Sequence, residues 1–228
     1  MSRGIFITST GTEVGKTYIS ALIVKKLRES GLNAGYYKAA LSGAEYIDGK
    51  LTAGDALQVC QVAGLELEAN SLVSYIYKTP VSPHLAAKIE NNPIEMDKIK
   101  ADFAKHKEAF DFITVEGSGG IICPLRLDDK MIMLSDVIKE LDLSIIIVAP
   151  AGLGTINSTV LTVNYARFKD IHLSGIILNK YEQDNFLHID NKKQLEFLTG
   201  IPIIGCVPDN AADITIDSET LINLYREI

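Results

Sequence analysis

The run Thr8-Ser9-Thr10-Gly11-Thr12-Glu13-Val14-Gly15-Lys16-Thr17 directly follows the apolar triplet Ile5-Phe6-Ile7. A short buried strand, a glycine-bearing loop and a helix opening on Gly-Lys-Thr together build a phosphate cradle. Loop N–H groups and the helix N-terminus attract a polyphosphate, Lys16 reaches its β and γ oxygens, and the Thr17 hydroxyl holds Mg2+. The strict pattern asks for glycine at position 10, where this chain has Thr10, and Gly11 comes one residue late. The loop is a variant, so an ordinary strand-to-helix turn with a solvated lysine stays open on the loop alone. Residues 18–27 read as the helix that must follow.

The rest of the chain repeats the same alternation. Short apolar runs at 4–7, 34–37, 112–115, 144–148, 175–178 and 203–207 read as strands. Ser144-Ile145-Ile146-Ile147-Val148 is apolar on both faces, as a strand covered by helices on both sides must be. Helical patterns fall at 16–29, 55–62, 82–89, 95–106, 134–141, 155–168, 191–198 and 218–226. The expected fold is α/β, a doubly wound and mostly parallel sheet flanked by helices, like that of P-loop NTPases, with ligands at the carboxyl ends of the strands. No linker or repeat divides it, so residues 1–228 are expected to form one domain. The stretch 43–54, with Gly43, Gly49 and Gly54, reads as a polar surface loop able to fold over a site.

Bulk properties narrow the function. A 228-residue chain with 47% hydrophobic content can bury a full core. Its net charge of −7, with no basic run longer than two residues, argues against nucleic acid or an anionic membrane as partner. Cys60, Cys123 and Cys206 are odd in number and widely spaced, which suits reduced thiols rather than disulfides or structural zinc. No apolar stretch approaches the length of a membrane span, so a soluble, cytoplasmic protein is expected.

Several further groups carry chemistry. Phe112-Ile113-Thr114-Val115-Glu116-Gly117-Ser118-Gly119-Gly120 ends a strand in a carboxylate and then a loop that can approach phosphates closely. Glu116 is placed to serve Mg2+, or merely to cap the turn. Lys38, in Tyr36-Tyr37-Lys38-Ala39-Ala40-Leu41-Ser42-Gly43, comes at the end of the second strand beside the first loop. It is either a cation for an anionic reacting group or a solvated strand-end lysine. Asp55 is a helix N-cap or a second metal carboxylate. Ser82-Pro83-His84 looks like a helix opening, and His84 shows no Asp or Ser partner for general-base work. Asn179-Lys180 ends the fifth strand where a base could be read, since an Asn amide pairs with two edge atoms of adenine. It also approaches the Asn-Lys-x-Asp guanine box, with Glu182 in the acidic place, so the base stays open.

In order and spacing these pieces resemble the dethiobiotin synthetase family. They are Thr12-Glu13-Val14-Gly15-Lys16-Thr17, Tyr37-Lys38 with Ser42-Gly43, Asp55-Ala56-Leu57, Pro80-x-Ser82-Pro83-His84, Val115-Glu116-Gly117-x-Gly119-Gly120 and Leu153-Gly154-x-Ile156-Asn157. The likeness spans about residues 4–180. It implies an ATP- and Mg2+-dependent ligase of biotin biosynthesis, in which CO2 adds to an amine of 7,8-diaminononanoate, the carbamate is phosphorylated, and the second amine closes a ureido ring. By the same resemblance Lys16 and Lys38 are catalytic, and Thr17, Asp55 and Glu116 hold the metal. Ser42, Gly117, Ser118 and Asn157 contact the substrate. Thr12, Glu13, Val14, Gly15, Lys16, Thr17, Tyr18, Asp55, Glu116, Gly117, Ser118, Gly119, Asn179 and Lys180 surround the nucleotide. The implied state is a homodimer with substrate at the interface, residues 152–157 reaching the partner's substrate. The loop departs from the family's Gly-Thr-Asp-Thr, reading Ser9-Thr10-Gly11-Thr12 here.

A second reading is a dimeric switch ATPase of the partition or septum-positioning type, which shares the expected fold. Such proteins carry a lysine five positions before the loop lysine, where this chain has Gly11.

Overall fold

Ile5 and Ile7 face one side of their strand and Phe6 the other, and all three are fully buried. This strand, β1 (Arg3–Ser9), is therefore covered on both faces. The structure is a computed structural model describing residues 2–228. After β1 the chain runs through α1 (Lys16–Glu29), β2 (Ala34–Ser42), β3 (Glu45–Ile47), β4 (Lys50–Thr52) and α2 (Gly54–Ala63). A 3-10 turn (Ala69–Leu72) leads to β5 (Val73–Tyr77), α3 (Pro83–Ile89), α4 (Met96–Ala109) and β6 (Phe112–Glu116). Next come β7 (Pro124–Leu127), β8 (Met131–Met133), α5 (Leu134–Glu140), β9 (Ile145–Pro150) and α6 (Thr155–Phe168). The chain ends with β10 (Leu173–Asn179), α7 (Phe186–Thr199), β11 (Ile203–Val207), α8 (Ser218–Leu224) and β12 (Arg226–Glu227).

Seven strands form one parallel sheet in the order β11-β10-β9-β1-β6-β2-β5, and β12 adds antiparallel to the start of β1. From β1 the chain first winds toward β2 and β5, and later returns through β9 to β10 and β11. The reversal lies at β1, so a crevice opens at its carboxyl end, where open α/β sheets take their ligands.

Helix α1 shows how local sequence sets this up. Ile19, Leu22, Ile23 and Leu27 lie on its buried stripe and pack with Ile5, Ile7, Ile146 and Val148. Each such buried side chain contributes about 1.5–3 kcal/mol. Gly15 starts the helix at φ +101°, Gly31 leaves it at φ +81°, and Lys26 and Arg28 favour its last turn. On the opposite face of the sheet Phe6, Tyr37, Val115, Ile145, Ile147 and Ile176 belong to the larger core. Among the described residues no helix is long and apolar enough to cross a membrane.

The doubly wound architecture and all six expected strands are present. Five expectations need correction. Strand β2 runs on to Ser42, so Lys38 lies within it rather than at its end. The helix expected at 218–226 stops at Leu224, and Arg226 pairs with Gly4 in β12. Residues 43–54 are not a plain loop. Asp48 (φ +50°) and Gly49 (φ +78°) make a tight left-handed turn between β3 and β4, a conformation that the Asp-Gly pair favours between hairpin strands. Helix α7 starts at Phe186 rather than 191, because the Asn185 side chain accepts a hydrogen bond from the Leu187 N–H and caps it. The edge strand β5, the β7–β8 hairpin and β12 were not anticipated either.

Candidate active site

The register of the central strands sets the site. Lys38 of β2 lies directly opposite Glu116 of β6, and Glu116 in turn opposite Ile7 of β1. Since side chains alternate along a strand, Tyr36 and Lys38 share the face that meets Glu116. Lys38 Nζ donates to Glu116 Oε1 at 2.6 Å and to Asp55 Oδ2 at 2.6 Å. Thr17 Oγ1, in the first turn of α1, donates to Glu116 Oε1 at 2.9 Å, and the Tyr36 hydroxyl donates to Glu116 Oε2 at 2.9 Å. Glu116 is thus a buried carboxylate with three donors, the arrangement a buried charge requires.

The phosphate loop folds over this cluster. Lys16 Nζ donates to Ser9 Oγ (3.1 Å) and to the Gly11 carbonyl (3.2 Å). Burial and the neighbouring Lys38 cation lower the Lys16 pKa, against the pull of Glu116 and Asp55. Burial also opposes the charge on Lys38, but Glu116 and Asp55 outweigh it and raise the pKa. Ser9 Oγ donates to the Gly119 carbonyl at 3.2 Å, and Ser118 Oγ donates to the Ala40 carbonyl at 2.5 Å, so the glycine loop after β6 is tied to β1 and to β2.

Thr12, Glu13, Gly15, Lys16, Thr17, Tyr18, Lys38, Ser42, Asp55, Glu116, Ser118 and Gly119 line one cavity of about 390 Å3. An adjoining cavity of about 670 Å3 runs from Ser42 and Gly119 to Pro80, Ser82, Pro83 and Cys123. Burial pushes the Cys123 thiol up to about 11, which leaves it protonated and no nucleophile. One ammonium touching both Glu116 and Asp55 means that the two carboxylates aim at a single point beside Thr17. These are hard oxygen donors of the kind Mg2+ takes.

Several open alternatives close here. Lys38 is buried, not solvated, and Glu116 is engaged by Lys38, Thr17 and Tyr36 rather than capping a turn. Asp55 does not cap α2, whose N-cap residue is Ala53. Other expected residues lie outside the main cavity. Gly117 is packed between Phe6 and Leu134, with no room for a side chain. Val14 packs against the core and offers its carbonyl to Asn179 Nδ2 at 2.9 Å. That bond leaves the buried Asn179 Oδ1 without a partner. Lys180 is exposed in a left-handed conformation (φ +57°). Asn157 is exposed on α6, in a separate depression with Thr10, Gly120, Ile122 and Leu161. His84 sits beside Lys88 and Arg126 in another cavity. The sequence reading missed Tyr36 and Ser9; the two-residue step from Tyr36 to Lys38 was the available signal for the first.

A family model described as "AAA domain" matches residues 3–214. An ATP-dependent dethiobiotin synthetase BioD of Clostridium botulinum (strain Loch Maree / Type A3) is 53% identical over 228 residues, covering all of both chains. That of strain 657 / Type Ba4 is 54% identical over the same span. Among solved structures, the MinC:MinD cell division protein complex of Aquifex aeolicus aligns at TM-score 0.58 and 16% identity, over 92% of this chain and 82% of that one. A ParA family ATPase from Chlorobium tepidum TLS aligns at 0.57 and 17%, over 98% and 90%. The structural likenesses establish the shared P-loop ATPase fold, while identity over the full length decides the family. The chain belongs to the ATP-dependent dethiobiotin synthetases.

Proposed function

We propose that this chain closes the ureido ring of dethiobiotin from 7,8-diaminononanoate, CO2 and ATP. The observation that carries the reading is the second buried lysine, Lys38, facing the phosphate loop across the same cavity as Lys16. A carbamate and a triphosphate repel each other, so bringing them together needs cations on both sides of the developing bond. Lys16 serves the transferring phosphoryl oxygens. Lys38 serves the carbamate oxygens and the γ-phosphate, once it leaves its carboxylates. Mg2+ neutralises polyphosphate charge when bound, and Thr17, Asp55 and Glu116 would hold it. Ser42 and Ser118 border both the phosphate cavity and the cavity walled by Pro80, Ser82 and Pro83, which suits a diamine chain reaching toward the phosphates. The partition-type ATPase reading rests on fold alone.

The base is proposed to be adenine. With its Nδ2 held by Val14, Asn179 keeps a buried, unpartnered acceptor, Oδ1, beside the phosphate loop; uncovered as the nucleotide enters, it would suit the exocyclic amine of adenine and repel the 6-oxygen of guanine. The loop after β11 is held near by Tyr18, whose hydroxyl donates to the Ala211 carbonyl at 2.6 Å. Mass spectrometry of the protein with 7,8-diaminononanoate, bicarbonate and Mg2+, run beside ATP, GTP and CTP, tests both proposals. Dethiobiotin is expected with stoichiometric ADP, and about tenfold or more slowly with GTP. Equal use of the three nucleotides would remove the role of Asn179. No product despite nucleotide binding would overturn the activity.

The chain is further proposed to act as one cytoplasmic domain that pairs into a homodimer. Leu153 (92% exposed), Leu161 (60%) and Ile122 (61%) surround Asn157 with uncovered apolar surface. A second copy seated there would bring Asn157 to its partner's substrate. Asn157→Ala should then weaken diamine binding about tenfold, the worth of a hydrogen bond to a charged group, while ATP binding changes little. Equal losses in calorimetric titrations of the two ligands would show that the residue is misplaced.

A further inference from the structure

Tyr36 is fully buried, and its hydroxyl is spent on one partner, Glu116 Oε2. The other carboxylate oxygen, Oε1, receives Thr17 and Lys38. A carboxylate on a flexible stem can rotate about its last bond, and a donor on one oxygen fixes where the other points. We propose that Tyr36 is a positioning residue for the metal: its phenol locks the Glu116 plane so that Oε1 faces Thr17 and Asp55. The inference rests on the assignment of Glu116 to Mg2+ made above.

Three features support it. Tyr36 and Lys38 stand two residues apart on β2, so the strand that delivers the cation also delivers the lock. Tyr36 is fully buried, so bulk water does not compete with Glu116 for its hydroxyl. The second tyrosine of the pair, Tyr37, faces the other side of the sheet, where its hydroxyl meets Ser74 and the Ile99 carbonyl, so it cannot substitute. When Lys38 swings toward the phosphates, Thr17 and Tyr36 remain as the protein donors on Glu116, and only Tyr36 holds Oε2.

Tyr36→Phe keeps the ring and the packing and deletes the donor. Mn2+ binding, followed by electron paramagnetic resonance in the presence of the unreactive β,γ-imido analogue of ATP, should weaken about tenfold, the worth of a hydrogen bond to a charged group. In turnover the loss should appear in the Mg2+ concentration for half-maximal rate more than in kcat. Glu116→Gln is the control. Were it to leave Mn2+ affinity unchanged, the metal assignment itself would fall, and the lock with it. Were Glu116→Gln to weaken Mn2+ while Tyr36→Phe did not, the assignment would stand and the lock would be refuted. In the Glu116→Gln background Tyr36→Phe should cost no further Mn2+ affinity. The same loss in both backgrounds would mark a general packing effect and overturn the proposal.

Discussion

Lys38→Ala is expected to lower kcat by roughly 10^3-fold, the scale on which a single charge-stabilising donor acts in an excluded site. ATP binding should stay within about tenfold of the parent, since Lys16 and the loop N–H groups remain in place. The Mg2+ requirement distinguishes this variant from any other cationic loss. In the resting arrangement the ammonium sits 2.6 Å from both Glu116 and Asp55, at the point where the metal would bind. Lys38 and Mg2+ then compete for the same carboxylates. Removing the lysine should leave the half-saturating Mg2+ concentration unchanged or lower it, even as turnover collapses. Breaking a buried pair by one partner costs roughly 3–5 kcal/mol, but the Asp55 side chain is 38% exposed, and water entering there reduces the cost. Mg2+ with ATP should restore more of the unfolding midpoint to the variant than it adds to the parent. Near-normal turnover, or a raised Mg2+ requirement, would refute the role given to Lys38.

The same ion pairs explain where sequence reading ran out. A lysine after an apolar run has one composition whether it is solvated or paired, and Lys38, expected at a strand end, lies in the middle of β2. Its fate here depends on a partner 78 residues away, brought opposite by the β2–β6 register. The choice for Asp55 likewise depended on Lys38, not on its own helix. Helix α1 was legible to the residue because its signals are local, with Gly15 at the start, apolar spacing through the middle and a glycine beyond the end. The six recognised strands are mostly buried on both faces, which leaves unbroken apolar runs. Strand β5 lies at the sheet edge and alternates buried and half-buried residues, so Val73-Ser74-Tyr75-Ile76-Tyr77 lacks such a run. Tyr36 illustrates a further gap. Its aromatic ring satisfies the demand for a buried strand residue, and nothing in the local pattern reveals that its hydroxyl serves a carboxylate.

Gly15→Ala should abolish nucleotide binding and destabilise the fold, through a contact that no phosphate-loop motif describes. A Cβ at this position would stand 2.1 Å from Asn179 Nδ2, and the backbone holds φ +101°. An L-residue with a side chain is strained there by about 1–2 kcal/mol. The clash cannot be relieved cheaply, because Asn179 is buried and its amide is bonded to the Val14 carbonyl within the same loop. Displacing it adds about 1–3 kcal/mol of overpacking and loses a hydrogen bond worth about 1 kcal/mol. The total is roughly 3–6 kcal/mol, a large share of the stability of an ordinary domain. Whatever part the fold survives, the loop N–H groups move away from the phosphates. Asn179→Ala added to Gly15→Ala removes the collision but not the strained backbone, so it should recover part of the stability lost to Gly15→Ala. Chemical denaturation of the two single variants and the double measures that coupling. Strict additivity would mean that the two residues do not meet, and the loop would then owe nothing to Asn179. Coupling with stability regained but ATP binding still absent would assign Gly15 two separable duties, one as a turn and one as the space into which Asn179 fits.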